Sequence, residues 1–131
     1  MKDREYELGD AELEVLKALW EDGPGTVREV LNRLTRRGRN LAYTTVQTFL
    51  TRLEQKGFVR ADKSDLAYRY AARVTRERIS KSRLRELLDQ LYDGAAGPLV
   101  LQLVRSERLT PEEIETLQKL IERLDSDKGL S

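Results

Sequence analysis

Apolar residues recur every three or four positions through the first half of the chain, and this spacing predicts three amphipathic helices. The first covers residues 10–21, with Asp10 as its N-cap. The second begins after Thr26, which forms the sequence pattern of a capping box with Glu29. The third covers residues 42–56 and carries polar side chains opposite its apolar stripe.

Alternating polar and apolar residues follow these helices and predict two β-strands, at 58–62 and 66–72. The short polar segment between the strands predicts a hairpin. Three helices followed by a two-stranded hairpin is the order of elements in a winged helix-turn-helix domain.

The second half returns to helical spacing, with helices predicted at 75–92 and from Pro111 onward. Between them, residues 99–104 are almost all apolar, which predicts a helix buried on most sides. From Asp125 the chain is expected to fray. The complete pattern predicts a mainly α fold with a small β-hairpin: a winged helix-turn-helix DNA-binding domain at 1–74 and a helical dimerisation domain at 75–131.

The composition of the 131-residue chain excludes several classes of function, because it contains no Cys and no His. Disulfides, thiolate metal sites and the commonest general base are therefore ruled out, and no cofactor or metal is predicted. The acidic residues stand at exposed helix starts, where they complement the helix dipole, so an enzyme is not expected. A charged N-terminus and the lack of a long apolar run predict a cytoplasmic protein without membrane insertion.

The charges are distributed unevenly, although the net charge is only +1. Residues 1–25 carry a net charge of −5, residues 26–73 carry +7 and residues 75–131 carry −1. A local positive face of this kind favours double-stranded DNA as the partner. On charge alone, a solvated arginine-rich surface remains an equal alternative.

The polar face of the third helix is the predicted recognition surface, because the second helix of a helix-turn-helix motif enters the major groove. Hydroxyl and amide groups can bond to base edges, and threonine methyls can contact thymine methyls. The predicted base-reading residues on its first two turns are Thr44, Thr45, Gln47 and Thr48. Contacts to the DNA backbone are predicted for Thr51, Arg52, Lys56, Arg60, Lys63 and Arg69.

The aromatic residues are predicted to pack in the core. Tyr43, Tyr68 and Tyr70 also suggest stacking on single-stranded nucleic acid, but their positions at strand and helix starts favour packing. Trp20 is predicted to be a core residue for the same reason.

The C-terminal helices present more apolar surface than one small winged domain can bury. A second copy of the chain would cover it in a twofold-symmetric homodimer and would make the DNA target pseudo-palindromic. The alternative is that this segment folds back on its own winged domain. The predicted dimerisation residues are Leu99, Leu101, Leu103, Val104, Ile114, Leu117, Ile121 and Leu124.

Five stretches of the chain resemble the penicillinase repressor family (the BlaI/MecI type) in the same order. They are the residues LGDAELEVLKALW at 8–20, LAYTTVQTFLTRLEQKGFV at 41–59, LYDG at 91–94, LVLQLV at 99–104 and LTPEEIE at 109–115. The resemblance implies a dimeric repressor that binds an inverted-repeat operator. It also implies that Ala42 reads bases together with Thr44, Thr45, Gln47 and Thr48. Several members of the family carry basic residues where this chain has Thr44 and Gln47, so its operator is expected to differ.

The resemblance also bears on regulation. In antibiotic-responsive members a membrane sensor-protease triggers cleavage of the dimerisation domain, and the matching bond here joins Gln102 and Leu103. Those members have Asn-Phe at this bond. Copper-responsive relatives bind metal through C-terminal cysteines, which this chain lacks.

The leading interpretation is therefore a sequence-specific transcriptional repressor. The alternative is a winged-helix module that binds a protein partner, for which weak salt dependence and no DNA footprint are expected.

Overall fold

The computed structural model describes residues 8–130 and confirms a mainly helical fold with a small antiparallel sheet. In chain order the elements are α1 (Asp10–Asp22), β1 (Gly25–Thr26), α2 (Val27–Arg36), α3 (Tyr43–Gln55), β2 (Val59–Asp62), β3 (Arg69–Ala72), α4 (Arg76–Tyr92), α5 (Ala96–Ser106) and α6 (Pro111–Leu130). None of the described helices is long and apolar enough to span a membrane.

The chain divides into two compact units, one that reaches to Leu84 and one that begins at Arg85. The predicted boundary at residue 74 falls earlier. The difference arises because Ile79, in the first turns of α4, is buried in the core of the first unit.

The first unit is built around the apolar stripes of α1, α2 and α3, which meet the inner side of the sheet. This packing removes the largest apolar side chains from water and supplies most of the unit's stability. The largest fully buried side chains are those of Val15, Leu16, Val30, Leu34, Val46, Leu50, Leu53, Phe58 and Val59.

The sheet has three strands in the order β1-β3-β2, all antiparallel. The predicted hairpin is present as β2 and β3. Strand β1 was not predicted, because two residues are too few to show an alternation of polar and apolar positions. The strands are also shorter than predicted, and residues 63–68 form the loop between them.

Asp62 starts this loop, since its carboxylate accepts hydrogen bonds from the backbone N–H and the hydroxyl of Ser64 at 3.0 and 2.7 Å. These bonds hold the pKa of Asp62 below its ordinary value.

The capping box at the start of α2 has the predicted geometry. Glu29 N–H donates to Thr26 Oγ1 at 3.2 Å, and Thr26 N–H donates to the Glu29 carboxylate at 2.9 Å. The second of these bonds is the main reason that the pKa of Glu29 lies below its ordinary value. Thr110 and Glu113 form the same reciprocal pair before α6, at 2.8 and 3.1 Å.

The prediction that Asp10 caps α1 is wrong. The N-cap is Gly9, whose N–H donates to the Glu12 carboxylate at 3.1 Å. Glu12 is buried and also binds Lys56 Nζ, at 2.9 and 3.1 Å. This contact spans distant parts of the sequence, so a local capping preference could not reveal it.

A buried arginine fixes the turn between α1 and β1. Arg33, on α2, is only 8% exposed, and its guanidinium donates to the carbonyl oxygens of Gly23 and Pro24. A side chain at Gly25 would meet it, since a Cβ atom there would lie 2.9 Å from Arg33 Nη2. A larger residue at position 25 would therefore displace the Arg33 guanidinium from its position in this turn.

The second unit contains the end of α4 together with α5 and α6. Helix α4 ends at Tyr92 and is followed by Asp93 and Gly94, both with positive φ, and Gly94 N–H donates to Leu88 O at 2.9 Å. Leu88 and Leu99 are buried, but most other apolar residues of α5 are about half exposed. The prediction of a helix buried on most sides is therefore wrong for the single chain. Helix α6 continues to Leu130 rather than fraying from Asp125.

Candidate nucleic-acid interface

Helix α3 turns an apolar side inward and a polar side outward. Its inward residues Val46, Leu50 and Leu53 are completely buried, and this fixes the rotation of the helix about its axis. The opposite side carries a shallow, open groove of about 410 Å³ along the helix surface, lined entirely by α3 residues: Thr44, Gln47, Thr48, Thr51, Arg52 and Gln55. The structure thus brings most of the predicted recognition residues onto one continuous surface.

The two remaining base-reading candidates lie at the start of the same helix. Ala42 is the exposed N-cap residue, and its carbonyl oxygen accepts hydrogen bonds from the N–H groups of Thr45 and Val46, both at 3.1 Å. Thr45 is half-buried beside the groove. No side chain caps this helix start.

The hydrogen-bonding capacity of the groove is uneven. Thr48 is exposed, and its Oγ1 donates to Thr44 O at 2.9 Å, so its hydroxyl is left as an acceptor. Gln47 is exposed and offers an amide donor and an amide acceptor, the pair of groups that can bind adenine bidentately.

The three tyrosines do not share one environment. Tyr70 is only 4% exposed and burial raises the pKa of its hydroxyl, as a core position requires. Tyr43 and Tyr68 are 40% and 44% exposed, so the prediction that they pack in the core is wrong. Trp20 is packed against the core as predicted, and its indole Nε1–H donates to Val74 O at 2.8 Å.

Each exposed tyrosine carries a cation over its ring. The Arg28 guanidinium lies 4.9 Å from the Tyr43 ring centroid, and Lys63 Nζ lies 5.6 Å from that of Tyr68. Both rings line a cleft of about 340 Å³ that also includes Gln47, so this cleft adjoins the groove on α3. Arg28 was not predicted as a functional residue, because it lies on α2 and its sequence position gave no signal beyond its charge.

The predicted backbone-contact residues fall into three groups. Thr51 and Arg52 lie on the exposed side of α3. On the strands and loop of the sheet, Lys63 is 3.4 Å from the Glu54 carboxylate and Arg69 is 3.3 Å from that of Glu29. These two contacts are solvent-exposed ion pairs, which contribute little to stability and exchange readily for other anions.

Lys56 and Arg60 form the third group, because their side chains are directed away from the groove on α3. Lys56 is directed at α1, where it binds Glu12. Arg60 lines a cavity with Trp20 and Arg76 to which α3 contributes no residue. Net charge along the sequence could not distinguish these positions from the others.

The predicted dimerisation residues lie on α5 and α6 of the second unit. Leu99 is buried and Leu117 half-buried, and the other six are 44% to 66% exposed: Leu101, Leu103, Val104, Ile114, Ile121 and Leu124. Both residues of the predicted cleavage bond, Gln102 and Leu103, are exposed on α5.

Comparison with known proteins identifies the family. A family model described as penicillinase repressor matches residues 8–123. The chain is 36% identical to "Transcriptional regulator BlaI" of Mycobacterium tuberculosis, over 93% of this chain and 88% of that protein. It is 28% identical to "Penicillinase repressor" of Bacillus licheniformis, over 88% and 90% of the two chains. It is 27% identical to "Methicillin resistance regulatory protein MecI" of Mammaliicoccus sciuri, over 94% and 99%. The chain therefore belongs to the penicillinase repressor family, a family of transcriptional repressors of the BlaI/MecI type.

Proposed function

We propose that this protein is a sequence-specific DNA-binding repressor that acts as a homodimer on an inverted-repeat operator. The observation that carries the proposal is the continuous polar surface of α3, held outward by three completely buried residues of the same helix. Family membership supports it independently.

In this proposal α3 lies in the major groove with its first two turns against the bases. Gln47 hydrogen-bonds to a base edge, while the methyl and hydroxyl groups of Thr44, Thr45 and Thr48 contact thymine methyls and base acceptors or donors. Ala42, at the N-cap, allows the backbone at the helix start to approach the DNA closely. Uncharged groups of this kind favour selectivity over nonspecific attraction.

Cationic residues at both ends of this surface bind phosphates. Arg28 is held over the Tyr43 ring at one end, and Thr51 and Arg52 follow the groove along α3. Lys63 and Arg69 extend the basic surface onto the hairpin, where their exposed ion pairs exchange carboxylate for phosphate. A duplex bound here would displace counterions, which makes binding depend steeply on salt.

Dimerisation uses the exposed apolar residues of α5 and α6. Six half- to two-thirds-exposed aliphatic side chains on two adjacent helices are more than a stable monomer normally leaves in water. A second copy presents the same surface, so a twofold interface buries both at once. Two recognition helices then engage two half-sites.

Proteolysis between Gln102 and Leu103 would relieve repression. The bond lies inside α5, so a cut divides the helix that carries four of the predicted dimerisation residues. A dimer weakened in this way loses the second half-site contact. The partner in this proposal is a membrane sensor-protease system, and the test is whether incubation with its activated protease yields a fragment ending at Gln102.

The first experiment is fluorescence anisotropy of the full chain with DNA from upstream of its own gene and with a scrambled duplex, over a salt series. We expect a preference of about 10³ or more for the cognate duplex and a steep salt dependence. Weak and equal binding to cognate and scrambled duplexes, together with no footprint upstream of the gene, would contradict the proposal.

A wing that binds protein is the second candidate, because Leu66 at the tip of the hairpin loop is completely exposed. In that case the anisotropy experiment gives weak binding without sequence preference. Replacement of Leu66 with serine would then abolish capture of the protein partner.

Replacing Thr45 or Gln47 with alanine is expected to reduce the preference for the cognate site by about 1–3 kcal/mol, because a base contact is lost while phosphate contacts remain. The measurement is anisotropy on cognate and scrambled duplexes. Gln55→Ala, at the far end of the same exposed groove, is the matched control and should retain the preference. Equal loss on both duplexes would show that these residues do not read bases.

Replacing Arg28 with alanine is expected to weaken binding to all duplexes uniformly and to reduce the slope of log K against log salt by about 1, because one phosphate contact is lost. Arg105→Ala, on α5, removes the same charge far from the groove in sequence and should leave the slope unchanged. An unchanged slope in Arg28→Ala would remove this residue from the interface.

A further inference from the structure

A shallow cavity of about 590 Å³, open to solvent, lies in the first unit beside the end of α1, and Arg60 is the one predicted DNA-contact residue among its lining residues. Its walls come from α1, from strands β2 and β3 and from the start of α4. No residue of α3 lines it. The cavity is thus separate from the recognition groove.

One side of this cavity is apolar and aromatic. Leu19, Ala71 and Val74 contribute aliphatic surface, and the Trp20 ring forms a wall. The ring is held in place by the 2.8 Å hydrogen bond from its indole N–H to Val74 O. An apolar group about the size of one aromatic ring would be shielded from water if it packed against this surface.

The other side of the cavity carries two arginines, Arg60 and Arg76, and the carboxylate of Glu21. The Arg76 guanidinium lies 5.5 Å from the Trp20 ring centroid and 3.4 Å from the Glu21 carboxylate. Arg60 projects from β2, opposite Ala71 in the strand register, and lines the same space. Glu21 makes its shorter contact with Arg37, at 2.8 Å, so its hold on Arg76 is the weaker of the two. Two guanidinium groups beside an aromatic wall match a planar carboxylate joined to an apolar ring.

We propose that this cavity binds a small aromatic carboxylate, with its ring against Trp20 and the aliphatic wall and its carboxylate between Arg60 and Arg76. The site does not depend on DNA binding. In this proposal the guanidinium of Arg60 binds the carboxylate of the ligand, whereas Arg60 does not line the recognition groove.

The test uses benzoate as the probe and the fluorescence of Trp20, the only tryptophan in the chain, as the signal. We expect a saturable change in fluorescence when benzoate is added to the full chain at constant ionic strength. Benzamide has the ring without the charge, and acetate has the charge without the ring. Both are expected to bind at least about tenfold more weakly, because each makes only half of the contacts.

Two variants locate the bound probe. Arg60→Gln should weaken benzoate about tenfold by removing one charge-assisted contact, whereas Arg36→Gln, an exposed arginine on α2, should change nothing. Ala71→Val reduces the space within the cavity without changing its charge and should also weaken benzoate. Circular dichroism checks that each variant is folded. The proposal is overturned by the absence of a saturable change, by equal responses to the three probes, or by unchanged affinity in both Arg60→Gln and Ala71→Val.

Discussion

Replacing Ile121 with aspartate is expected to convert the protein from dimer to monomer and to lower its affinity for a two-half-site operator by at least about a hundredfold. Ile121 is 56% exposed in the single chain, so the monomer accommodates the change at little cost. In the proposed interface the same carboxylate would be buried without a partner, which costs several kcal/mol. The measurement is sedimentation velocity, followed by operator binding.

The matched control for this change is Thr116→Asp, which adds the same charge to an exposed position on another side of α6. This variant should remain a dimer. If Ile121→Asp remains a dimer, the interface lies elsewhere. Leu117→Asp would then be expected to lower the free energy of unfolding of the monomer without changing the oligomeric state.

Replacing Arg33 with methionine is expected to lower the free energy of unfolding of the first unit by about 2–4 kcal/mol. The methionine fills part of the volume but leaves Gly23 O without its Arg33 donor and leaves Pro24 O with the 3.3 Å hydrogen bond from Arg69 Nη2 alone of its two arginine donors. Urea denaturation followed by Trp20 fluorescence measures the change. Arg36→Met, at an exposed position on the same helix, should stay within about 0.5 kcal/mol of the parent. A similarly small effect of Arg33→Met would show that water replaces the arginine at these carbonyls.

The parts of the fold that depend on neighbouring residues were predictable from the sequence. The apolar stripe of α3 and the capping boxes at Thr26 and Thr110 are read within one or two turns of a helix, and the structure confirms them. Strand β1 could not be predicted, because its two residues become a strand only by pairing with Arg69 and Tyr70. The Gly9 cap is local, since its N–H binds Glu12 three residues on, but the adjacent Asp10 is at least as favoured an N-cap residue and local preference could not decide between the two.

The candidate site was also predictable where the signal is local and not where it depends on the folded chain. Helical periodicity places Thr44, Gln47 and Thr48 on one side, and the structure brings them together. Charge alone does not say on which side of a fold a cation lies, which is why Lys56 and Arg60 were grouped with Arg52. Arg28 was missed for the converse reason, because only the folded chain brings it over the ring of Tyr43.

In the binding mode proposed above, the separation of packing residues from outward residues within α3 has a consequence for how operator choice evolves. Packing rests on Val46, Leu50 and Leu53, whereas the outward residues Thr44 and Gln47 have no role in the core. Substitutions on the outward side therefore cost little stability. Paralogues can acquire new target promoters through a few changes on this one surface while the scaffold is inherited intact. The same freedom makes α3 a suitable starting point for directed reprogramming of the repressor toward a chosen DNA sequence.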